Sequence, residues 1–148
     1  MTDARTMILA ALLASVAGMA VAKSDGYEER RAFITQFAGE ARNSVSFSRS
    51  YDFEALGTDA LLLWESTNRA YLVTLEDYCP DLPSERVIIV NNKGARLTAK
   101  FDTITVVSRG ESYNDSCRIL EIRPVDVKAM RAAEKAGRVP EKSAGSAD

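Results

Sequence analysis

The clearest pattern in the chain is a pair of apolar runs separated by a short polar turn. ALLLWES (residues 60–66) is apolar at consecutive positions, which is typical of a strand that is buried on both faces. AYLVTLE (residues 70–76) alternates in size and polarity, and STNR supplies turn residues between the two runs. Together they predict an antiparallel hairpin, in which we expect Trp64 and Tyr71 to face each other. Such a pair either packs in a core or, if it is exposed, binds a sugar or a peptide.

Alternating patterns on both sides of this hairpin predict further strands. SVSFS (residues 44–48) places Val45 and Phe47 on one face, RVIIVNN (residues 86–92) is rich in β-branched side chains, and CRILEIR (residues 117–123) forms the last strand. ARLTAKFDTITVVS (residues 95–108) changes the parity of its apolar positions near Phe101 and Asp102, which predicts a bulge or a corner. Turn signals recur every ten residues or so, a spacing that favours an antiparallel sandwich or barrel.

Helical spacing is confined to the two ends of the region that follows residue 26. Phe33, Ile34 and Phe37 predict a short helix that ends near Gly39, and Asp126 is a candidate N-cap for a helix from Val127 to Gly137. The predicted fold is therefore mainly β: a small antiparallel barrel or sandwich with short N-terminal and C-terminal helices. The predicted segments are a signal peptide (1–22), a helical or irregular segment (23–43), a β-domain (44–126), and a C-terminal helix with a disordered tail (127–148).

The first 22 residues have the pattern of a cleavable export signal. An apolar run, MILAALLASVAGMAVA, follows Arg5 and is shorter than the roughly 20 residues that a membrane-spanning helix needs. Ala20 and Ala22 are small residues at the positions that a signal peptidase reads, so cleavage is expected between Ala22 and Lys23. The sequence therefore predicts an exported protein, periplasmic or extracellular, with no membrane span in the mature chain.

Export changes the interpretation of the two cysteines. Outside the reducing cytoplasm a pair of cysteines tends to be oxidised, so Cys79 and Cys117 are expected to form a structural disulfide. Two free buried thiols or a reactive redox pair are the alternatives. A redox pair usually has its cysteines close together in sequence, which these two are not.

Composition excludes several kinds of chemistry. The chain has no histidine, which removes Ser-His-Asp and Cys-His catalysis and imidazole metal sites. Its net charge is −2 with no basic block, which argues against nucleic acid as a partner. We expect no cofactor and no metal. Glu76, Asp77 and Asp81 are acidic neighbours that a weak calcium site would use, but their spacing favours a solvated loop.

Several segments in the middle of the chain resemble a known family. These are LLLWESTNRAYLVTLEDYCPDL (residues 61–82), FDTITV (101–106), CRI (117–119) and IRPVD (122–126). Across residues 45–126 the chain resembles a family of short exported proteobacterial proteins that is classed as a domain of unknown function. The resemblance implies a signal peptide, a β-domain with paired cysteines and an envelope or secreted location, and it implies no reaction.

Three functional hypotheses remain. The first is a non-catalytic binding or structural module of the cell envelope, whose partner is an envelope protein or a small ligand. The second is a small carboxylate-dependent hydrolase that uses Asp102 and Glu121. The third is an inhibitor or partner-binding module that presents the loop CPDLPSE (residues 79–85), with Leu82 and Glu85 as its contacts. Trp64 and Tyr71 are the other candidate binding residues.

Overall fold

The computed structural model describes residues 26–76, 78–108 and 114–137. The proposed signal peptide, its cleavage site at Ala20, Ala22 and Lys23, and the tail from residue 138 lie outside this part. The elements are α1 (Tyr27–Thr35), β1 (Ser44–Ser46), β2 (Asp52–Ala55), β3 (Ala60–Ser66), β4 (Arg69–Leu75), β5 (Ile88–Asn91), β6 (Arg96–Thr98), β7 (Thr103–Val106), β8 (Asp115–Val125) and α2 (Val127–Lys135).

A curled six-stranded antiparallel sheet, close to half of a barrel, forms the centre of the fold. Its strand order is β2-β3-β4-β8-β7-β5, and β1 pairs with β6 in a separate two-stranded sheet. The prediction of a mainly-β fold with two short terminal helices is confirmed.

The predicted hairpin is present as β3 and β4, but its register differs from the expected one. Leu63 lies opposite Tyr71, and Trp64 lies opposite Ala70. The prediction that Trp64 and Tyr71 face each other is therefore wrong. Because successive side chains of a strand point to opposite faces, this one-residue difference places the two rings on opposite sides of the sheet.

Both faces of the central sheet are apolar, as the uninterrupted run in β3 predicts. On one side, which we call the disulfide face, Leu63, Tyr71 and Ile122 pack with both cysteines and with residues of β1 and β6. On the other side, the helix face, Leu62 and Leu72 pack with residues of α1 and α2. Each face therefore has its own hydrophobic core.

Strand β8 joins the two halves of the sheet, because it pairs with β4 on one side and with β7 on the other. Its pairing with β4 shifts between Thr74 and Leu75, which lie opposite Glu121 and Ile119. Leu120 is the extra residue of this β-bulge, and it is exposed. The bulge keeps Ile119 and Ile122 on the same face although their positions differ in parity.

The chain after α1 forms irregular pairing with the end of β8. Helix α1 ends at Thr35, earlier than the predicted end near Gly39. The Gly39 N–H instead donates to the carbonyl of Pro124 at 2.7 Å, and the Arg42 N–H donates to that of Ile122 at 2.8 Å. These bonds show that the backbone polar groups of Pro124 point away from β4. The proline therefore removes no hydrogen bond between β4 and β8.

Three turn and cap predictions are confirmed. The side chain of Asp126 accepts a hydrogen bond from the Ala129 N–H at 2.9 Å, so it caps α2 as predicted. Gly137 follows α2 with a φ of 72°, the left-handed conformation that commonly ends helices. The corner near Phe101 separates β6 from β7, and Lys100 within it has a φ of 69°.

The predicted disulfide between Cys79 and Cys117 is present, with the two Cα atoms 6.3 Å apart. It links the loop after β4 to strand β8 inside the core of the disulfide face. Within the three described ranges, neither helix has the length and apolar character needed to span a bilayer.

Candidate functional site

A cleft of about 510 Å³ opens on the helix face, between α2 and the adjoining ends of β2 and β3. We call it the aromatic cleft, because Tyr51, Phe53 and Trp64 are among the residues that line it. Tyr51 is 68% exposed, and its backbone N–H donates to the carbonyl of Trp64 at 2.7 Å. Asp52, Thr67 and Arg131 contribute polar groups to the same walls.

A buried arginine lies beside this cleft and links three elements. Arg30 of α1 is 5% exposed. Its Nε and Nη2 donate to the two carboxylate oxygens of Glu54 on β2, at 2.8 and 3.2 Å. Its Nη1 donates to Glu134 of α2 at 2.8 Å. The guanidinium also lies over the ring of Phe33, 5.6 Å from its centroid. This network fixes α1, β2 and α2 relative to one another at the cleft.

The network keeps Arg30 charged inside the protein. Burial alone lowers the pKa of Arg30, but the hydrogen bonds and charges of Glu54 and Glu134 together outweigh it and raise the pKa above its ordinary value. A guanidinium has five N–H groups, and the bonds to Glu54 and Glu134 engage one on each nitrogen. The second N–H on Nη1 and on Nη2 has no protein partner among the described residues. Arg30 itself is one of the residues that line the cleft.

Arg131 forms the wall on the α2 side of the aromatic cleft. Its guanidinium carbon lies 5.5 Å from the centroid of the Trp64 ring, a cation–π contact. Its Nη1 donates a long hydrogen bond of 3.4 Å to the side-chain oxygen of Asn68, in the turn between β3 and β4. These two contacts hold an otherwise exposed arginine over the tryptophan.

A second cleft, of about 620 Å³, lies on the other side of Arg131. We call it the basic cleft, and its lining residues are Asn68, Val127, Lys128, Arg131, Ala132 and Lys135. Lys128, Arg131 and Lys135 are three and four positions apart along α2, so they share one side of the helix. Their charges therefore point into the same space.

Glu65 follows Trp64 near the end of β3 and does not itself line the aromatic cleft. Its carboxylate accepts hydrogen bonds from the Ser48 backbone N–H at 3.0 Å and from Arg69 at 3.1 Å. Burial raises the pKa of Glu65, but the bonds from Ser48 and Arg69 outweigh that effect and leave the pKa below its ordinary value. Glu65 also marks a shift in the pairing of β3 with β4, between Trp64 and Ser66.

The structure separates the aromatic residues that the sequence grouped. Trp64 lines the aromatic cleft, whereas Tyr71 lies in the core of the disulfide face. The Tyr71 hydroxyl donates to the carbonyl of Ser46 at 3.0 Å, and burial, with the nearby charge of Glu65, raises the pKa of Tyr71. Tyr71 is thus a core residue, and the aromatic residues that line the cleft with Trp64 are Tyr51 and Phe53.

The loop 79–85 folds inward, which corrects the view of Leu82 as a surface contact. Leu82 is 0% exposed and packs in the core of the disulfide face. The Glu85 N–H donates to the carbonyl of Asp81, whose side chain accepts a hydrogen bond from the Ser108 hydroxyl at 2.9 Å. The disulfide and these bonds turn the apolar residue of the loop toward the protein interior.

The two carboxylates considered for catalysis have other partners. Asp102 is buried and accepts a hydrogen bond from the Thr98 N–H at 2.6 Å across the β6–β7 corner. Glu121 forms an ion pair with Arg123 at 3.8 Å. Within the described ranges no hydrogen bond or ion pair connects Asp102 to Glu121. The same ranges contain no group of three or more acidic, cysteine or histidine side chains arranged to hold a metal ion.

Sequence reasoning missed Arg30 and Arg131. Arg30 occurs in the charged run EERR, which resembles a solvated helix start. However, it precedes Phe33, Ile34 and Phe37 by three, four and seven positions, the spacing of one helix face. That spacing was the available signal for a buried arginine. Arg131 and Tyr51 carry no such signal, because their position depends on how α2 and β2 pack on the sheet.

The fold and the cleft together define a small, disulfide-linked β-domain with an aromatic and charged recess on one side of its sheet. Residues 2–141 match the family described as "Family of unknown function (DUF6491)". The chain belongs to this family, as the resemblance in its sequence indicated. No curated protein and no solved structure matches the chain.

Proposed function

We propose that the protein is an exported, non-catalytic module that binds a saccharide in the aromatic cleft. The observation that carries the proposal is the combination of the exposed ring of Tyr51 and the Trp64 ring with a buried, paired arginine beside them. Export is supported by the N-terminal pattern of the sequence and by the disulfide, which is typical of proteins that fold in an oxidising compartment.

The chemistry of the cleft supports a hydroxyl-rich ligand. Aromatic rings present flat apolar surfaces, on which the C–H faces of a sugar ring can stack. Around the rings, Asp52, Glu54 and Glu134 provide acceptors, and Arg30 and Arg131 provide donors. A hydroxyl group both donates and accepts, so it suits this mixed lining. A simple cation or anion would be attracted by one set of charges and repelled by the other.

A binding role without catalysis is supported by how the carboxylates are used. Glu54 and Glu134 hold Arg30, Glu65 holds Ser48 and Arg69, and Asp102 stabilises a corner. Of these groups, Glu54 and Glu134 line the cleft and fix Arg30 beside it, which is typical of a preformed binding site.

The single tryptophan of the chain provides a direct test, because it lies in the cleft. We expect the fluorescence of Trp64 to change and saturate when soluble oligosaccharides from a diverse panel are titrated into the oxidised protein. The Tyr51→Ala variant should lose this response. Tyr78→Ala is the matched control, since Tyr78 is 71% exposed but does not line the cleft, and it should respond like the parent protein. A fluorescence that no saccharide alters, with unchanged amide chemical shifts around the cleft, would refute the proposal.

A further inference from the structure

The two clefts on the helix face are parts of one continuous surface. Arg131 lines both, with the aromatic cleft on one side and the basic cleft on the other. Asn68 holds the Arg131 side chain at this boundary. A ligand that occupies the aromatic cleft and is longer than a single sugar ring can therefore extend into the basic cleft.

The two clefts differ in the sign of their charges. The aromatic cleft contains Asp52, Glu54 and Glu134 together with Arg30 and Arg131, so its charges nearly balance. The basic cleft contains the exposed cations Lys128, Arg131 and Lys135, and no acidic residue lines it in the described part of the chain. Since the chain as a whole has a net charge of −2, this concentration of positive charge is local.

The three cations of the basic cleft are close enough along α2 to repel one another, and one anionic group between them would relieve that repulsion. Like charges three and four positions apart on a helix repel each other, and the repulsion destabilises the helix slightly. A carboxylate, sulfate or phosphate placed between Lys128, Arg131 and Lys135 would remove that repulsion and form charge-assisted hydrogen bonds. Arg131 is already oriented by Trp64 and Asn68, which lowers the entropy cost of such a bond.

We propose that the ligand is an anionic saccharide, with a sugar ring on Tyr51 and Trp64 and its acidic substituent between Lys128, Arg131 and Lys135. This inference rests on the saccharide-binding function proposed above. It adds that the basic cleft selects acidic sugars over neutral ones of the same size, and that binding weakens with added salt.

The test compares matched glycans on an array that carries neutral saccharides beside their carboxylated, sulfated and phosphorylated counterparts. The oxidised protein is applied, and affinities are then measured by Trp64 fluorescence. We expect an acidic glycan to bind about tenfold or more tightly than its neutral counterpart. The Lys128→Glu/Lys135→Glu variant should lose this preference. Lys93→Glu/Lys100→Glu is the control, because it changes the net charge equally at exposed lysines outside both clefts.

The outcomes separate this inference from the function on which it rests. Equal binding of neutral and acidic glycans would overturn the basic-cleft assignment and leave saccharide binding in place. Binding of no glycan would overturn both. Inorganic phosphate, or vesicles containing an anionic phospholipid, are the remaining arms of the experiment. If either binds as tightly as the best acidic glycan, and Tyr51→Ala has no effect, the positive charge recognises an anion without a sugar and the inference is wrong.

Discussion

The two faces of the central sheet are closed by different means. On the disulfide face, Leu63 and Ile122 pack under a covalent link between Cys79 and Cys117, and the small β1–β6 sheet covers them. On the helix face, α1 and α2 cover the sheet, and Arg30 connects them through Glu54 and Glu134. The disulfide face is an apolar core, whereas the helix face combines an apolar core with charged groups at the edge of a cleft.

This difference indicates a division of roles within one small domain. Covalent and apolar closure supplies stability. An ion network beside an aromatic recess contributes less net stability, since the cost of removing charges from water offsets much of their attraction. It does, however, hold donors and acceptors at fixed positions. The disulfide face therefore contributes mainly stability, whereas recognition is proposed for the helix face.

The largest expected loss of stability comes from truncating a leucine of β3, and its size should depend on the face to which that leucine belongs. Leu63 and Leu62 are both 0% exposed, but Leu63 belongs to the disulfide face and Leu62 to the helix face. We expect Leu63→Ala to lower the free energy of unfolding by about 4–5 kcal/mol, and Leu62→Ala by about 3 kcal/mol. Helices can shift to fill a cavity more readily than a core that is linked by a disulfide. Urea denaturation measures both values, and a larger loss for Leu62→Ala would contradict the comparison.

Removal of the disulfide should have the next largest effect. The two cysteines are 38 positions apart, and a closed loop of that size contributes about 4 kcal/mol in the chain-entropy treatment. The Cys79→Ala/Cys117→Ala variant should therefore unfold at a much lower urea concentration. Reductant should destabilise the parent protein similarly and leave the variant unchanged. A parent protein whose urea midpoint does not respond to reductant would show that the link contributes little.

Arg30→Met should lower the free energy of unfolding by about 3 kcal/mol, because it leaves the mostly buried carboxylate of Glu54 without its partner. Glu134 is more exposed, so water can solvate it and moderates the loss. Arg31→Met is the matched control. Arg31 is the next residue and also pairs with a carboxylate, Asp59, but both side chains are substantially exposed and we expect a loss below about 1 kcal/mol. Equal losses for the two variants would contradict the assigned role of Arg30.

The smallest expected effect concerns Glu65, whose pKa in the folded protein lies below the ordinary value of 4.5. The folded state favours the ionised form, so the stabilisation is present above that ordinary value and disappears as the pH falls through the lower folded pKa. Glu65→Gln should remove this part of the acid sensitivity, a change below about 1 kcal/mol, whereas Glu40→Gln should not. Urea midpoints from about pH 6 to about pH 3 measure it, and identical acid sensitivity in the parent and Glu65→Gln would contradict it.

Local signals in the sequence predicted much of the fold. The apolar run in β3 and the alternation in β4 identified the hairpin, and Asp126 identified the start of α2, because a strand period and an N-cap depend only on nearby residues. The disulfide followed from the predicted compartment. The position of the corner between β6 and β7 followed from the change of parity near Phe101.

Features that depend on tertiary contacts were not predictable in the same way. The register of Trp64 and Tyr71 depends on a pairing shift at Glu65, and the early end of α1 depends on backbone bonds that residues 39 and 42 make to β8. Leu82 is buried in the same core as the two cysteines, a contact between segments that are distant in the sequence. The aromatic cleft combines residues of α1, β2, β3 and α2, so no single stretch of sequence contains its pattern.

The place of β8 in the sheet has a consequence for how the polypeptide acquires its shape. Strands β2, β3 and β4 can associate as consecutive neighbours, and β5 can associate with β7, but only β8 connects these two groups within the sheet. A nascent chain therefore lacks the middle of its sheet until almost the whole sequence has been synthesised. Pairing between segments that are distant in the sequence makes folding slower than pairing between neighbouring segments. The disulfide likewise forms late, because Cys117 lies on β8 and can be joined to Cys79 only after that strand has been made.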